Sequence, residues 1–589
     1  MTSSVEFQNF FRSFQLLNLF VDIGISHFIL CPGSRSAPLA IAAGELFRRG
    51  KITLISSLDE RSAGFHALGI STASANNVIV ITTSGTAVAN LLPSAVEADR
   101  SCINVLYITA DRPLRLKDCG ANQTVNQEEF LSSVCKLSLS TNLNGLHQTS
   151  DSEIKNLTSL IFKENLLKPG PIHLNVPFEK PLLISKNNKK KVLEIFDKEY
   201  VNKNISFDIN RVKHESCNTL DKIIKQINLA RPGLIIVGPY RGSTNDILGF
   251  NKSLEIFQKL TGWPVFADPV SGINSSLRGL VDHWEIIISK NKISASFDQL
   301  LRIGPMSSSN VLEEFLLAFN GPQFLIKEKD SRDLDPIKKA KEYQFGLNKF
   351  VKQLLDKKGI NKISNKTLIP ITKELIDKGK RIKKQIKKHI LINDKITELS
   401  IANLVPEIWP KNKPIMISAS SPIRDWLTFS GKELFSRRCF SFRGASGIDG
   451  TLSIALGIAL IKDPLLLVTG DLSFLHDING WFHQNARHIN LKILLIDNHG
   501  GNIFNRLYKN NLTKLEIENL FLMKSSVNWK KLAEAHEIPY VNILSLDKLK
   551  EAFDWSLSIQ KSVIMRVEIN TDYEFKQREN IYKYIFDNH

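Results

Sequence analysis

Cysteine is scarce in this sequence: six residues in 589 (Cys31, Cys102, Cys119, Cys135, Cys217 and Cys439), with no CxxC pair and no cysteine–histidine cluster. Such spacing argues against a zinc ribbon or a disulfide framework and fits a reducing cytoplasm. Cys31 and Cys119 lie near motifs described below, but neither has a base at a recognisable spacing, so both are read as small buried thiols rather than nucleophiles. Long apolar runs are missing too; nothing reaches the roughly 18 uninterrupted apolar residues of a membrane span. The first twenty residues mix Glu6, Arg12 and amides with phenylalanines. They lack the basic start, apolar stretch and cleavage site of a secretory signal. No Gly/Ser-rich tether interrupts the chain, so its units are expected to pack rather than hang on flexible linkers.

What is present is a large globular chain, 43% hydrophobic and 23% charged, with a formal net charge of +18. Its length alone suggests three or four domains. The positive charge could serve nucleic acid, an acidic surface or anionic small molecules. Its distribution argues against nucleic acid. Lysine concentrates in Lys186–Lys191 and Lys378–Lys388, stretches that read as solvated linker or helix surface, and neither carries interleaved aromatics for base stacking.

Short β-branched runs followed by Gly, Ser or Pro turns and then helical patterns recur throughout, as in parallel α/β sheets. The runs after Ser26, Asn77 and Asn104 and the run Pro171–Pro177 form a first set, which breaks at the lysine-rich stretch near 186–203. The runs from Pro232, Trp263 and Gln323 form a second, closing near a helical Gly346–Lys358. A third opens at Pro414, continues through Pro464 and Leu491, and ends at Ser562. The expected fold class is α/β, with three doubly wound parallel-sheet domains: residues 1–190, 204–362 and 390–589.

Parallel sheets offer ligands the residues just beyond their carboxyl ends. Val468-Thr-Gly-Asp-Leu-Ser473 and Leu494-Leu-Ile-Asp-Asn-His-Gly-Gly501 put Asp471 and Asn498 at neighbouring strand ends. With a backbone carbonyl near Gly500 and a ligand's diphosphate, these two hard oxygens could complete the near-octahedral shell of magnesium. Gly470 would let backbone approach the phosphates, and Ser473 can donate a hydrogen bond at the start of the next helix.

This spacing resembles the diphosphate-binding fingerprint of thiamine-diphosphate enzymes, Gly-Asp-Gly followed some two dozen residues later by Asn-Asn. Leu472 stands for the last glycine of the triplet, and Asp497 for the first asparagine. Such a cofactor requires a carboxyl partner for its N1′ nitrogen. Glu60, which follows an apolar strand and begins a helix rich in small residues, fits that role; its hydrogen bond would let the cofactor's 4′-amino group remove the C2 proton.

The resemblance becomes specific when more turns are included. Cys31-Pro-Gly-Ser-Arg-Ser-Ala-Pro38, Asp59-Glu-Arg61, Thr83–Asn90, Thr109-Ala-Asp-Arg-Pro113, Cys119-Gly-Ala-Asn-Gln123, Arg443-Gly-Ala-Ser-Gly-Ile-Asp-Gly450 and Gly470-Asp-Leu-Ser473 follow the order of the MenD family, the 2-succinyl-5-enolpyruvyl-6-hydroxy-3-cyclohexene-1-carboxylate synthases. The likeness spans nearly the whole chain. It implies thiamine-diphosphate-dependent decarboxylation of 2-oxoglutarate and addition of the succinyl unit to isochorismate, in menaquinone or phylloquinone synthesis. It implies magnesium, with manganese possible, at Asp471, Asn498 and Gly500. Ser446, Ile448, Gly470, Leu472 and Ser473 would contact the cofactor, with Ile448 propping it in its bent form.

Both substrates are dicarboxylates, and guanidinium forks bind carboxylates bidentately; Arg35, Arg112, Arg424 and Arg443 are read at strand-end turns. By resemblance, Ser34, Arg35, Arg112, Asn122 and Gln123 would face isochorismate. Ser420, Arg424 and Arg443 would hold the 2-oxoglutarate side, and Ile503 and Phe504 would form apolar walls. Where the family usually has a lysine after the last strand of the middle unit, this sequence aligns Asn310, so that unit contributes no site residue. The family likeness implies a homodimer or homotetramer in which Glu60 and Asp471 of different chains serve one site. The alternatives are a pyruvate carboligase of the acetolactate-synthase type, with flavin in its middle unit, and a non-catalytic nucleic-acid-binding protein.

Overall fold

The computed structural model describes residues 4–199, 218–290, 293–361, 363, 366–393, 395–508 and 511–587. Cys217 and the end of the lysine-rich break lie outside them. Among the described residues seventeen strands form three sheets. The first contains β1 (His27–Leu30), β2 (Thr53–Ser56), β3 (Val78–Thr82), β4 (Val105–Asp111), β5 (Leu137–Ser140) and β6 (Pro171–Pro177). The second contains β7 (Gly233–Val237), β8 (Val265–Ala267), β9 (Gln299–Ile303), β10 (Gln323–Ile326) and β11 (Ala340–Tyr343). The third contains β12 (Ile415–Ile417), β13 (Cys439–Phe440), β14 (Leu465–Gly470), β15 (Leu491–Asp497), β16 (Tyr540–Ile543) and β17 (Val563–Glu568).

Every strand pairing within these sheets is parallel, as the fold class anticipated. The orders are β2-β1-β3-β4-β6-β5, β11-β10-β9-β7-β8 and β13-β12-β14-β15-β17-β16. The first and third sheets therefore share one topology. In each, strand order reverses beside the first strand of the set, which opens a crevice beyond the carboxyl ends of β1 and β3, and of β12 and β14. The second sheet reverses between β7 and β9, where the Gly238 turn packs directly onto the Pro305 carbonyl; a Cβ at Gly238 would collide with it.

The sequence reading did not anticipate β5, β9, β11, β13 and β16. Four are edge strands, and their short mixed sequences (LSLS, AKEY, CF and YVNI) carry little apolar signal. β9 is central, but Gln299 and Arg302 interrupt its apolar run. Burial is tolerated there because Arg302 donates to Asp335 at 2.7 Å and to the Gln323 side chain at 3.2 Å.

The chain packs as two compact units, the second of which holds two of the three sheets. The first is Met1–His214 with Arg443–Ile461 and Asp477–Ala486; the second is Glu215–Phe442 with Lys462–His476 and Arg487–His589. One apolar core explains why the second and third sheets share a unit. It runs from Leu234, Phe266 and Trp284 through Trp409 and Trp426 to Leu466, Leu494 and Met565. Each such fully buried side chain contributes roughly 2 kcal/mol, as an upper figure.

The first unit has its own core, in which Phe10, Phe14 and Phe20 of the Val5–Asp22 helix meet Phe28, Ile79, Leu106 and Ile172 of the sheet. It also captures the Thr451–Ile461 helix, which packs against the Glu60–Ser74 helix. The two touch backbone to backbone: a Cβ on Gly69 would collide with the Ile454 carbonyl, and one on Gly457 with that of His66. The small residues after Glu60 permit this approach. Among the described residues no helix is long and apolar enough to cross a membrane.

Candidate active site

In the first unit, Glu60 is the first residue of the Glu60–Ser74 helix. Asp59 caps that helix, its Oδ1 accepting from the amides of Arg61 (2.8 Å) and Ser62 (3.2 Å), and its Oδ2 accepts from the Asn479 amide at 2.9 Å. Ser57 forms an antiparallel bridge with His483, and the Gln484 N–H donates to the Ser56 carbonyl at 2.8 Å. The turn carrying Glu60 is thus held from both sides. Behind it, the His66 and His483 rings lie 4.4 Å apart. Burial pushes His66 down to about 4 and His483 well below the ordinary histidine value.

Asp477, also buried, accepts from the Ser453 amide (2.7 Å) and the Ser62 hydroxyl (3.2 Å), and burial pushes it up to about 6. Glu60 is different. Among the described residues it forms no hydrogen bond or ion pair, while Asp59 and Asp477 are both engaged. A half-buried carboxyl at a helix N-terminus with no protein partner suits a ligand's ring nitrogen. Cys31 is buried, and burial together with the nearby charges of Glu60 and Asp59 raises its thiol far above the ordinary value. Cys119 departs from expectation: it is exposed, because it lies in the irregular loop after β4, where its Sγ contacts only the Leu116 and Arg115 carbonyls.

Arg35 and Arg112 occupy the turns after β1 and β4. Arg35 is buried, donates to the Phe178 carbonyl at 2.7 Å and is lowered from its ordinary pKa by burial and by Arg112. Arg112 is lowered by burial as well, and its guanidinium reaches the Ser84 hydroxyl. Gln123, at φ 56°, donates to the Ser84 carbonyl at 2.9 Å. Ser84, Arg112 and Gln123 therefore meet, with Arg35 adding a second, repelling cation that an anion would relieve. Ser34 and Asn122 are exposed on the neighbouring turns. Arg443, Ser446 and Ile448 belong to this unit too, on an irregular segment before the Thr451–Ile461 helix.

In the second unit, the two strand-end motifs converge. Asp471 begins the Asp471–His476 helix after β14 and accepts from the amides of Leu472 (2.8 Å) and Gly500 (2.7 Å). Burial, opposed by those amides and reinforced by Asp497, pushes it up to about 6. A carboxylate so raised beside a second carboxylate fits a cation. Asn498 donates its amide N–H to Glu398 Oε1 at 2.7 Å, which fixes its Oδ1 on the opposite side, where it receives only long contacts from Gly501 (3.4 Å) and Asn502 (3.5 Å).

The Gly500 carbonyl accepts from Met523 at 2.9 Å, so a metal would use its other lone pair. Asp497 lies beside Asp471 yet is paired on its other side: burial would raise it, but Arg566 (2.6 and 2.9 Å), the His499 amide and Trp529 Nε1 hold it low. Nothing lies within 4 Å of a Cβ built at Gly470, which leaves the approach open that a phosphate would need. Ser473 is buried two residues into the helix, and Leu472 and Phe504 meet around Gly501. Among the described residues no three His, Cys, Asp or Glu side chains cluster as a self-sufficient metal site. The donor set instead fits a cation completed by a ligand's oxygens.

Ser420, at φ 72°, is the N-cap of the Ser421–Phe429 helix. Arg424 was expected in the strand-end turn but lies inside that helix, because the turn after β12 closes within three residues. From there it reaches back to the Ser420 carbonyl at 2.8 Å. Burial and neighbouring Arg506 lower its pKa. Arg506 was not foreseen, although it sits three residues beyond Ile503 in the same motif. Ile503 is buried, and Phe504 stacks with Tyr508.

A buried network missed by the sequence reading backs this site. Asp425 accepts from Arg506 (2.9 Å) and twice from Arg578 (2.8 and 2.7 Å), and Arg578 also pairs with Glu574 at 2.7 Å. Burial with Asp425 and Glu574 pushes Glu398 up to about 8. No spacing rule links Glu398, Asp425 and Arg578, which belong to three separate helices. Asn310 is exposed at the start of the Asn310–Ala318 helix.

Two matches with known families define the class. Residues 13–130 match the thiamine pyrophosphate enzyme N-terminal TPP binding domain, and residues 432–567 match the C-terminal TPP binding domain of those enzymes. The chain is a thiamine-diphosphate-dependent enzyme. Full-length relatives narrow this further. It is 60% identical over 578 residues, 98% of each chain, to the 2-succinyl-5-enolpyruvyl-6-hydroxy-3-cyclohexene-1-carboxylate synthase of Prochlorococcus marinus strain MIT 9301. Proteins of that name from strain MIT 9515 (58% over 588 residues, 100% of each) and strain NATL2A (43% over 585 residues, 99% and 97%) match over the same extent. The chain belongs to the 2-succinyl-5-enolpyruvyl-6-hydroxy-3-cyclohexene-1-carboxylate synthase family.

Proposed function

We propose that the chain decarboxylates 2-oxoglutarate and joins the resulting succinyl unit to isochorismate, giving 2-succinyl-5-enolpyruvyl-6-hydroxy-3-cyclohexene-1-carboxylate for menaquinone or phylloquinone. The observation that carries this reading is a pair of mutually repelling arginines in each unit: Arg35 with Arg112 in the turns after β1 and β4, and Arg424 with Arg506 on the Ser421–Phe429 and Ile503–Tyr508 helices. Each pair suits a carboxylate, and each substrate has two.

Thiamine diphosphate, when bound, supplies the electron sink that makes loss of carbon dioxide feasible. Asp471, Asn498 and the Gly500 carbonyl would hold magnesium or manganese beside its diphosphate. Gly470, Leu472 and Ser473 line that end; Ser446 and Ile448 contact the rest. Glu60 holds a proton at the aminopyrimidine N1′. Ser34, Arg35, Arg112, Asn122 and Gln123 orient isochorismate. Ser420, Arg424 and Arg443 orient the 2-oxoglutarate-derived portion, while Ile503 and Phe504 exclude water from it.

The working form is a homodimer or homotetramer. Support comes from exposed apolar residues beside the Glu60 turn, Leu58 (72% exposed) and Phe482 (50%). The five described cysteines are free, which supports a cytoplasmic setting. The test is to mix the protein with 2-oxoglutarate, isochorismate, thiamine diphosphate and magnesium and to identify the product by mass spectrometry. A succinyl adduct of isochorismate is expected. Activity on pyruvate with indifference to isochorismate would overturn the proposal.

A further inference from the structure

The segment Arg443–Gly450 carries three residues of the proposed site yet has no regular secondary structure, and Ala445, Ser446 and Gly447 are exposed. Its backbone is nevertheless anchored. Glu97, on the Leu92–Ser101 helix and only 4% exposed, accepts the Gly444 N–H at Oε1 (2.9 Å) and the Ala445 N–H at Oε2 (2.7 Å). The Ser101 hydroxyl donates to the same Oε1 at 2.5 Å. Two consecutive amides thus converge on one buried carboxylate, each through a charge-assisted hydrogen bond. A Cβ at Gly444 would stand 2.7 Å from Glu97 Oε1, 2.7 Å from Ser101 Oγ and 2.8 Å from Arg100 Cβ, so the segment reaches this depth only with glycine there.

The helix bearing Glu97 lies between β3 and β4, whose ends present Ser84 and Arg112. It therefore registers the Arg443 segment to the turns that hold the Ser84–Arg112–Gln123 cluster. The far end of the segment is tied as well: the Thr451 hydroxyl donates to the Ile448 carbonyl at 2.9 Å, and Gly450 abuts the Phe65 ring.

We propose that Glu97 is a positioning residue, a carboxylate clamp that sets where Arg443 meets the 2-oxoglutarate-derived carboxylate. This rests on the reading of Arg443 given above. A misplacement of about 1 Å in a substrate-positioning group can cost up to about 100-fold in reactivity. A residue that merely stabilised the fold would lower the active fraction and leave KM alone.

The test uses the full-length enzyme with thiamine diphosphate and magnesium, and compares wild type with Glu97→Gln, Gly444→Ala and Arg443→Ala. Glu97→Gln keeps the shape but turns an NH2 toward one of the two amides; Gly444→Ala breaks the clamp from the segment side. Both are expected to raise KM for 2-oxoglutarate about tenfold while KM for isochorismate stays within about twofold. Arg443→Ala should raise the same KM at least as much, and adding Glu97→Gln to it should do little more. If Arg443→Ala raises KM but Glu97→Gln and Gly444→Ala change only kcat, the clamp is refuted while the reading of Arg443 stands. If Arg443→Ala leaves KM unchanged, that reading fails and the clamp falls with it. Should Glu97→Gln not fold, Gly444→Ala decides alone by the same two outcomes.

Discussion

The Glu60 turn of the first unit follows the edge strand β2, whereas the Asp471 and Asn498 turns of the second follow the central strands β14 and β15 of a sheet with the same strand order, and the two places are supported by different chemistry. Glu60 is backed by backbone amides, hydroxyls and two histidines whose pKa burial lowers, with Asp59 and the single, long Arg61–Asp477 pair (3.9 Å) as the charged groups beside it. Asn498 is backed by Glu398, behind which Asp425, Glu574, Arg506 and Arg578 form a buried ionic network. A carboxyl that exchanges a proton with a ring is better served by a few isolated charges than by a dense ionic network, since a strong field would fix its protonation state. A cation site needs ligands that cannot swing away, and hydrogen-bonded ion pairs behind the ligand provide that rigidity.

The sharpest way to break this comparison is to remove the central cation of the network. Arg578→Met leaves Asp425, Glu398 and Glu574 without their shared partner and is expected to cost about 4 kcal/mol of stability. Asp477→Asn in the first unit replaces a carboxyl held mainly by the Ser453 amide and the Ser62 hydroxyl with a side chain of the same shape and should cost only about 1 kcal/mol. Denaturant melts of the two variants check this; equal losses would erase the distinction.

A second effect concerns pH. The folded first unit keeps His66 neutral down to about 4, whereas the unfolded chain protonates it near 6.5. The unfolded state binds more protons in that window, so stability falls as pH drops from 6.5 to 4, by up to about 3 kcal/mol from this residue. Asp477, raised to about 6, works the other way: the folded state takes up its proton first, adding stability as pH falls from about 6 toward 4. Comparing wild type with His66→Gln isolates the histidine, and the wild type should lose stability relative to the variant across that window. A constant difference would contradict it.

The smallest expected effect is local. Glu398→Ala frees the Asn498 amide and should weaken magnesium-dependent cofactor binding about tenfold with little change in kcat at saturating cofactor. Titration calorimetry reads this directly.

The strand-end turns of the first and third sheets could be read in the sequence because their chemistry is local: an apolar run followed by Gly-Asp, Asp-Asn, Asp-Glu or Ala-Asp-Arg. The fold class followed from the same alternation of runs and turns. The support behind those turns was not readable, because Glu398, Asp425 and Arg578 meet only through tertiary packing. Nothing in the sequence around Glu97 marks its partners, the Gly444 and Ala445 amides, which lie 347 and 348 residues away. Cys119 was misread as buried because its loop has no periodicity from which exposure could be inferred. β9 escaped notice because its buried Arg302 needs Asp335, 33 residues away, to be tolerated.

The central claim is that the Glu60 end performs proton chemistry while the Asp471 end holds the cofactor. Titrating thiamine diphosphate with magnesium into Glu60→Gln and Asp471→Asn, and assaying 2-oxoglutarate decarboxylation in parallel, tests it most directly. The account predicts that Glu60→Gln binds within about tenfold of wild type while losing at least about 100-fold in turnover, and that Asp471→Asn loses metal-dependent binding itself. Full turnover in Glu60→Gln, or undiminished binding in Asp471→Asn, would contradict it.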